Sequence, residues 1–170
     1  MGRMHYRRNF ILHEGEIDVI QFDKLDMDHY FEEINYSEEK LQELVKGCDF
    51  IAHIGKVKNV YQHYLENHRK EDIDLAFEIL YEQHPEYKSY AKEYFAGDYS
   101  NFCNMFIFSK EIFFDYCEWI FGILEKFEKR VDTSEKRFFI SERLTGVYIY
   151  RLMQKKELKY KVVPISFITD

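Results

Sequence analysis

The segment Cys103-Asn104-Met105-Phe106-Ile107-Phe108, followed at once by Ser109 and a long apolar stripe, constrains the fold more than any other part of this chain. Aromatic and β-branched residues in an unbroken run predict a strand. Ser109 predicts the cap of a long helix that turns Phe113, Cys117, Ile120, Leu124 and Phe127 inward. A strand that feeds straight into a helix is the unit of an α/β domain.

The same punctuation recurs along the chain. Ser37 with Glu38 and Glu39 predicts a helix start, with Leu41, Leu44 and Val45 on one face and Gly47 at its end. Asp49-Phe50-Ile51-Ala52 is too brief and apolar for helical periodicity and predicts a short buried strand. Val57 to Asn67 predicts a helix, and Glu71 or Asp72 opens another with Ile73, Phe77 and Leu80 inward. Pro85 stops that helix, and Glu86 to Phe95 forms a new one closed by Gly97. Ser141 to Lys156 predicts a helix with Leu144, Tyr148 and Leu152 on one stripe. Tyr160 to Ile165 predicts a strand placed at a sheet edge by Pro164. Arg3 to Leu12 predicts a short strand running into a loop. The expectation is a single α/β domain over residues 1–170, with a short mixed sheet flanked by helices.

Charge narrows the partners. Lys and Arg total 24 against 31 Asp and Glu, a net charge of −7, which argues against general nucleic-acid binding. The charge is uneven: residues 1–10 carry only positive side chains, residues 11–50 are acidic, and Arg151, Lys155, Lys156, Lys159 and Lys161 make the tail basic again. Two basic ends that met in space would favour an anionic ligand or a membrane surface. The most apolar stretch, Ile112 to Leu124, is interrupted by Asp115 and Glu118 and is too short to span a bilayer. The basic N-terminus is not followed by the apolar core of a signal peptide. Cys48, Cys103 and Cys117 are odd in number and widely spaced, which suits free thiols in a reducing cytoplasm.

Common site motifs are missing: there is no phosphate-binding glycine loop, no His-Glu-x-x-His pair and no serine nucleophile elbow. His63 and His68 are five apart, which puts them on different helix faces rather than at the i, i+4 spacing of a shared metal, and predicts surface histidines. The triplets Asp26-Met27-Asp28 and Asp72-Ile73-Asp74 offer a weak signal for a divalent cation held by oxygen ligands. The cofactor therefore stays open, and no metal ligand is assigned. Glu142 and Arg143 follow Ser141 at a helix start, where the backbone dipole favours a carboxylate able to act as a general base. His5-Tyr6-Arg7-Arg8-Asn9-Phe10 sets two guanidiniums beside an imidazole and a phenol, a set suited to diphosphate oxygens.

The His-Tyr-Arg-Arg run resembles the signature of a bacterial family, domain of unknown function 4422, of glycosyltransferases in capsular and exopolysaccharide synthesis. Further matching stretches follow in order: Asp49-Phe50-Ile51, Tyr61-Gln62-His63-Tyr64 with His68, His84-Pro85-Glu86-Tyr87, Asn104 to Phe108, Tyr116-Cys117-Glu118-Trp119 and Ser141-Glu142-Arg143-Leu144. The resemblance implies a GT-A-like fold that transfers a sugar from a nucleotide-sugar donor to a saccharide or lipid-linked oligosaccharide acceptor, in the cytoplasm or at the inner membrane face. It implies that His5, Tyr6, Arg7 and Arg8 lie near the donor diphosphate. Asn104 and Met105 would line the sugar or acceptor pocket with Arg143 beside them, and Glu142 would deprotonate the acceptor. Family members carry another stretch before the His-Tyr-Arg-Arg motif, and Phe138-Phe139 stands where they commonly have Gly. The chain is thus expected to resemble the C-terminal portion of such a domain. The alternative is a non-catalytic remnant or a module that binds a sugar or nucleotide.

Overall fold

In the computed structural model, the residues described are 2–3, 8–12, 19–23, 30, 34, 36–132 and 139–169. Their strands are β1 (Gly2–Arg3), β2 (Arg8–Phe10), β3 (Val19–Asp23), β4 (Phe50–Ala52), β5 (Gly55–Lys56), β6 (Tyr99–Ser100), β7 (Phe106–Phe108), β8 (Tyr160–Val162) and β9 (Ile165–Thr169). The helices are α1 (Glu38–Val45), α2 (Val60–Leu65), α3 (Lys70–Gln83), α4 (Lys88–Ala96), α5 (Lys110–Arg130) and α6 (Ile140–Met153), with a 3-10 turn at Pro85–Tyr87.

The strands form short mixed sheets in the orders β1-β7-β4-β8, β2-β9-β3 and β5-β6. In the first, β4 runs antiparallel to β7 and parallel to β8. Side chains alternate across a strand, so this pairing splits the core in two. Phe50, Ala52, Phe106 and Phe108 face the helices and join Ile79, Leu80, Trp119, Ile123 and Tyr148 in the larger cluster. Ile51 faces the other way, with Phe10, Leu44, Met105, Val163 and Ile165. Rings carry much of the larger cluster: Tyr148 lies 5.2 Å from Trp119 and 5.1 Å from Tyr116, centroid to centroid. Each fully buried aromatic of this kind contributes about 1.5–3 kcal/mol by leaving water.

Most helix ends follow the local chemistry. The Ser37 hydroxyl accepts from the Lys40 N–H at 3.2 Å, and Ser109 accepts from Ile112 at 3.4 Å. Gly47 has φ +72°, the left-handed geometry that turns the chain out of α1. Asn59 caps α2 by accepting from Gln62 at 2.9 Å, while its amide donates to the Ala96 carbonyl at 3.1 Å and ties α2 to the end of α4.

Three expectations are corrected. The strand foreseen over 103–108 begins only at Phe106, because Cys103 (φ 67°) and Asn104 (φ 51°) adopt left-handed geometry and turn the chain first. The strand foreseen over 160–165 is two strands in different sheets. Pro164 separates them, its carbonyl accepting from Ile11 at 3.0 Å, and β9 beyond it is a central strand. Ser141 does not cap α6: the helix begins at Ile140, and the Ser141 carbonyl already accepts from the Thr145 hydroxyl at 2.8 Å.

His53, after β4, is wholly buried, with Nδ1 3.1 Å from the Val163 carbonyl, so Nδ1 carries the proton and donates. Burial holds its imidazole below the ordinary value. The unfolded chain then binds more protons once pH drops below about 6.5. Stability from this group is complete above that pH and is lost as pH falls through the lower native value. The melting-temperature advantage of the wild type over His53→Asn is therefore expected to shrink from pH 7.5 to pH 5. A constant difference across that window would contradict the assignment.

Candidate active site

The first turn of α6 meets the turn that carries residues 101–104. The Glu142 side chain, 29% exposed, is held from two sides. Its Oε2 accepts from the Cys103 backbone N–H at 2.6 Å, and its Oε1 accepts from Arg143 Nη1 at 2.9 Å. A carboxylate offers about four lone-pair sites, so both oxygens retain capacity for a ligand hydroxyl.

Arg143 is 3% exposed and spends both Nη groups on fixed partners, while its buried Nε has no partner among the described residues. Beyond Glu142, Nη1 donates to the Ser100 hydroxyl at 3.2 Å and Nη2 donates to His63 Nδ1 at 3.0 Å. The guanidinium carbon lies 5.6 Å from the centre of the Phe102 ring. Ser100 is braced in turn by the Tyr94 hydroxyl at 2.8 Å. A buried guanidinium with this many acceptors is a fixed scaffold and a poor choice for a mobile anion clamp.

Asn104 donates to the Ser141 hydroxyl at 3.4 Å, linking the left-handed turn to α6. The Cys103 thiol between them is pushed up to about 11, first by burial, with Glu142 raising it further and Arg8 and Arg143 opposing. It is thus a neutral thiol at pH 7, unsuited to nucleophilic attack. Arg8, on β2, stacks its guanidinium 4.6 Å from the centre of the Phe167 ring on β9.

The structure therefore brings Asn104, Glu142 and Arg143 together at the 101–104 turn, while Arg8 lies on β2 against Phe167. His5, Tyr6 and Arg7 lie outside the described residues, as do Asp26, Asp28 and Phe138. Met105 stands apart: it is 1% exposed and packs among Phe10, Leu44 and Ile165. As an apolar side chain next to a strand, it enters the smaller core instead of lining an open pocket. Asp72 is buried in the first turn of α3, whereas Asp74 pairs with Lys70 on the exposed side, so this triplet is divided between two environments. Among the described residues, no three His, Cys, Asp or Glu side chains are grouped closely enough to hold a metal ion.

The two histidines expected at the surface are half-buried and meet residues at the start of α6. Helix α2 ends at Leu65, so the five-residue spacing is not measured round one helix, and both rings turn towards α6. His63 meets Arg143 as described. His68 lies 4.9 Å from Tyr64 and stacks on Phe139 at 4.6 Å and 22°. Its imidazole is held below the ordinary value by burial and by Arg143, with Glu142 opposing. Ser100, Phe102 and Tyr94 also support the site without a signal in the sequence.

The architecture is thus a mixed α/β domain of the glycosyltransferase type. A solved apo structure of the bifunctional glycosyltransferase WbbM matches it with a TM-score of 0.83 at 30% identity. That match covers 99% of this chain and 33% of the other, so this chain spans about a third of its length. The chain belongs to the family described as domain of unknown function (DUF4422), whose model matches residues 1–155. No curated protein matches it in sequence.

Proposed function

We propose that this chain is a glycosyltransferase domain that takes a sugar from a nucleotide-sugar donor and passes it to a saccharide acceptor in bacterial surface-polysaccharide synthesis. The observation that carries this reading is Glu142, partly exposed and fixed between the Cys103 N–H and Arg143, in a fold that matches a glycosyltransferase. In this reading the acceptor hydroxyl gives its proton to Glu142 while its oxygen bonds to the anomeric carbon of the donor sugar. The bond from that carbon to the diphosphate breaks, and the nucleoside diphosphate leaves with the electron pair. Arg8, with Arg7 and the His5-Tyr6 pair, takes up the diphosphate charge. Asn104 contacts a sugar hydroxyl from the rim of the turn.

A lipid-linked oligosaccharide is the proposed acceptor, met at the cytoplasmic membrane face. No helix among the described residues is long and apolar enough to cross a membrane. Lys156 and Lys159 are exposed between α6 and β8, where they would approach an anionic lipid surface.

The test is release of nucleoside diphosphate from a panel of uridine, guanosine and thymidine diphosphate sugars, with and without saccharide acceptors. Release from at least one donor is expected, faster with acceptor present. No release across the panel, at enzyme concentrations well above trace, would overturn the proposal.

A further inference from the structure

We infer that His63 faces the ligand as a hydrogen-bond donor, fixed by Arg143 in the tautomer that carries its proton on Nε2. The ligand's identity, an oxygen of the donor diphosphate, rests on the glycosyltransferase reading; the tautomer does not. Guanidinium groups only donate and stay charged at any accessible pH. Nδ1 of His63 lies 3.0 Å from Arg143 Nη2 and must therefore accept. The single proton of a neutral imidazole is then on Nε2.

Arg143 cannot easily release this hold. It is pinned by Glu142 at 2.9 Å and Ser100 at 3.2 Å, and almost no part of it reaches solvent. The His63 ring is also fixed in orientation. Phe102 meets it edge-on at 5.5 Å and 62°. Phe102 is packed so closely on Gly55 that a Cβ there would come within 2.5 Å of the ring. Nε2 is different: it has no hydrogen-bond partner among the described residues, and the His63 side chain is only half-buried. His68 makes the contrast, since its ring packs against Tyr64 and stacks on Phe139. His63 is thus a neutral donor with its far nitrogen locked and its near nitrogen offered, one helix away from Glu142. A neutral N–H suits a phosphate oxygen, because it stabilises charge without giving up its proton.

Two substitutions separate the nitrogens. His63→Asn sets an amide oxygen near the place of Nδ1, keeping the Arg143 contact and losing the outer donor. His63→Gln reaches the place of Nε2 with an amide N–H and loses the Arg143 contact. Nitrogen-15 spectra of the histidine rings in the full chain are expected to show His63 protonated at Nε2. Titration with uridine, guanosine and thymidine diphosphates is expected to give affinity roughly tenfold or more weaker for His63→Asn, since a hydrogen bond to a charged group is lost. His63→Gln is expected to stay closer to wild type. A proton on Nδ1 would overturn the inference by itself. Equal weakening in both variants would overturn it and leave the glycosyltransferase reading intact. No binding of any diphosphate to the wild type would overturn both.

Discussion

Replacing Glu142 by Gln is expected to lower sugar transfer by about 10²–10⁴-fold, the usual contribution of a positioned general base. Donor affinity measured by calorimetry is expected to change little, because the groups assigned to the diphosphate, Arg8 with its neighbours and His63, are not the partners of Glu142. The substitution preserves shape but not acceptors. Both Glu142 oxygens accept, one from Cys103 and one from Arg143, whereas glutamine offers one oxygen and one amino group. One of those donors then faces another donor, at a cost of about 1 kcal/mol, or roughly 2–4 °C in melting temperature. A stability loss of that size with transfer unchanged would reduce Glu142 to a brace for the 101–104 turn. A single-turnover assay at saturating donor separates the two outcomes.

Gly146→Ala is expected to be among the most destabilising small substitutions in the chain. Gly146 lies in α6, which is buried nearly all round, and an added Cβ would fall 2.0 Å from the Tyr94 hydroxyl oxygen and 2.3 Å from its Cζ. Tyr94 is 3% exposed and anchored to Ser100, so its ring has little room to withdraw. Overpacking of this kind costs about 1–3 kcal/mol, and a clash with a braced ring belongs at the upper end. Alanine's better helix propensity returns about 1 kcal/mol. The clash wins, and the melting temperature is expected to fall by roughly 4–8 °C. The damage reaches the site, because displacing Tyr94 moves Ser100 away from Arg143. Adding Tyr94→Phe removes the atom at 2.0 Å and is expected to recover part of the loss, a coupling that a thermal double-mutant cycle measures directly. A stabilised Gly146→Ala variant would contradict this packing.

What the sequence revealed divides along physical lines. Helix starts at Ser37 and Ser109, the stop at Pro85 and the exit at Gly47 were all legible, because each depends on residues next to one another in the chain. The strand alternation around Phe50 and Phe106 was also legible as apolar runs. Their division into two cores was not, since it depends on the β4–β7 register. In α5 the expected inward set caught Ile120 and Phe127. Tyr116, Trp119 and Ile123 carry the centre of the buried stripe, about one residue away from the predicted line.

The site was legible only as separate residues. Glu142 and Arg143 could be named from a helix start, but their partners are remote in sequence. Cys103 reaches Glu142 across 39 residues, and His63 reaches Arg143 across 80. The surface reading of the histidines missed the contacts of His63 with Arg143 and of His68 with Phe139, which no local spacing shows. Met105 was misplaced for a related reason. Adjacency to Asn104 suggested a common role, although the left-handed turn sends successive residues into different surroundings.

The most direct test of the central claim is backbone amide NMR of the isotope-labelled chain titrated with nucleoside diphosphates and their sugars. Binding at the proposed site predicts saturable shifts at Arg8, at Phe102 to Asn104 and at Ser141 to Arg143, with His63 among them. Shifts confined to other surfaces, or none at millimolar ligand, would contradict it.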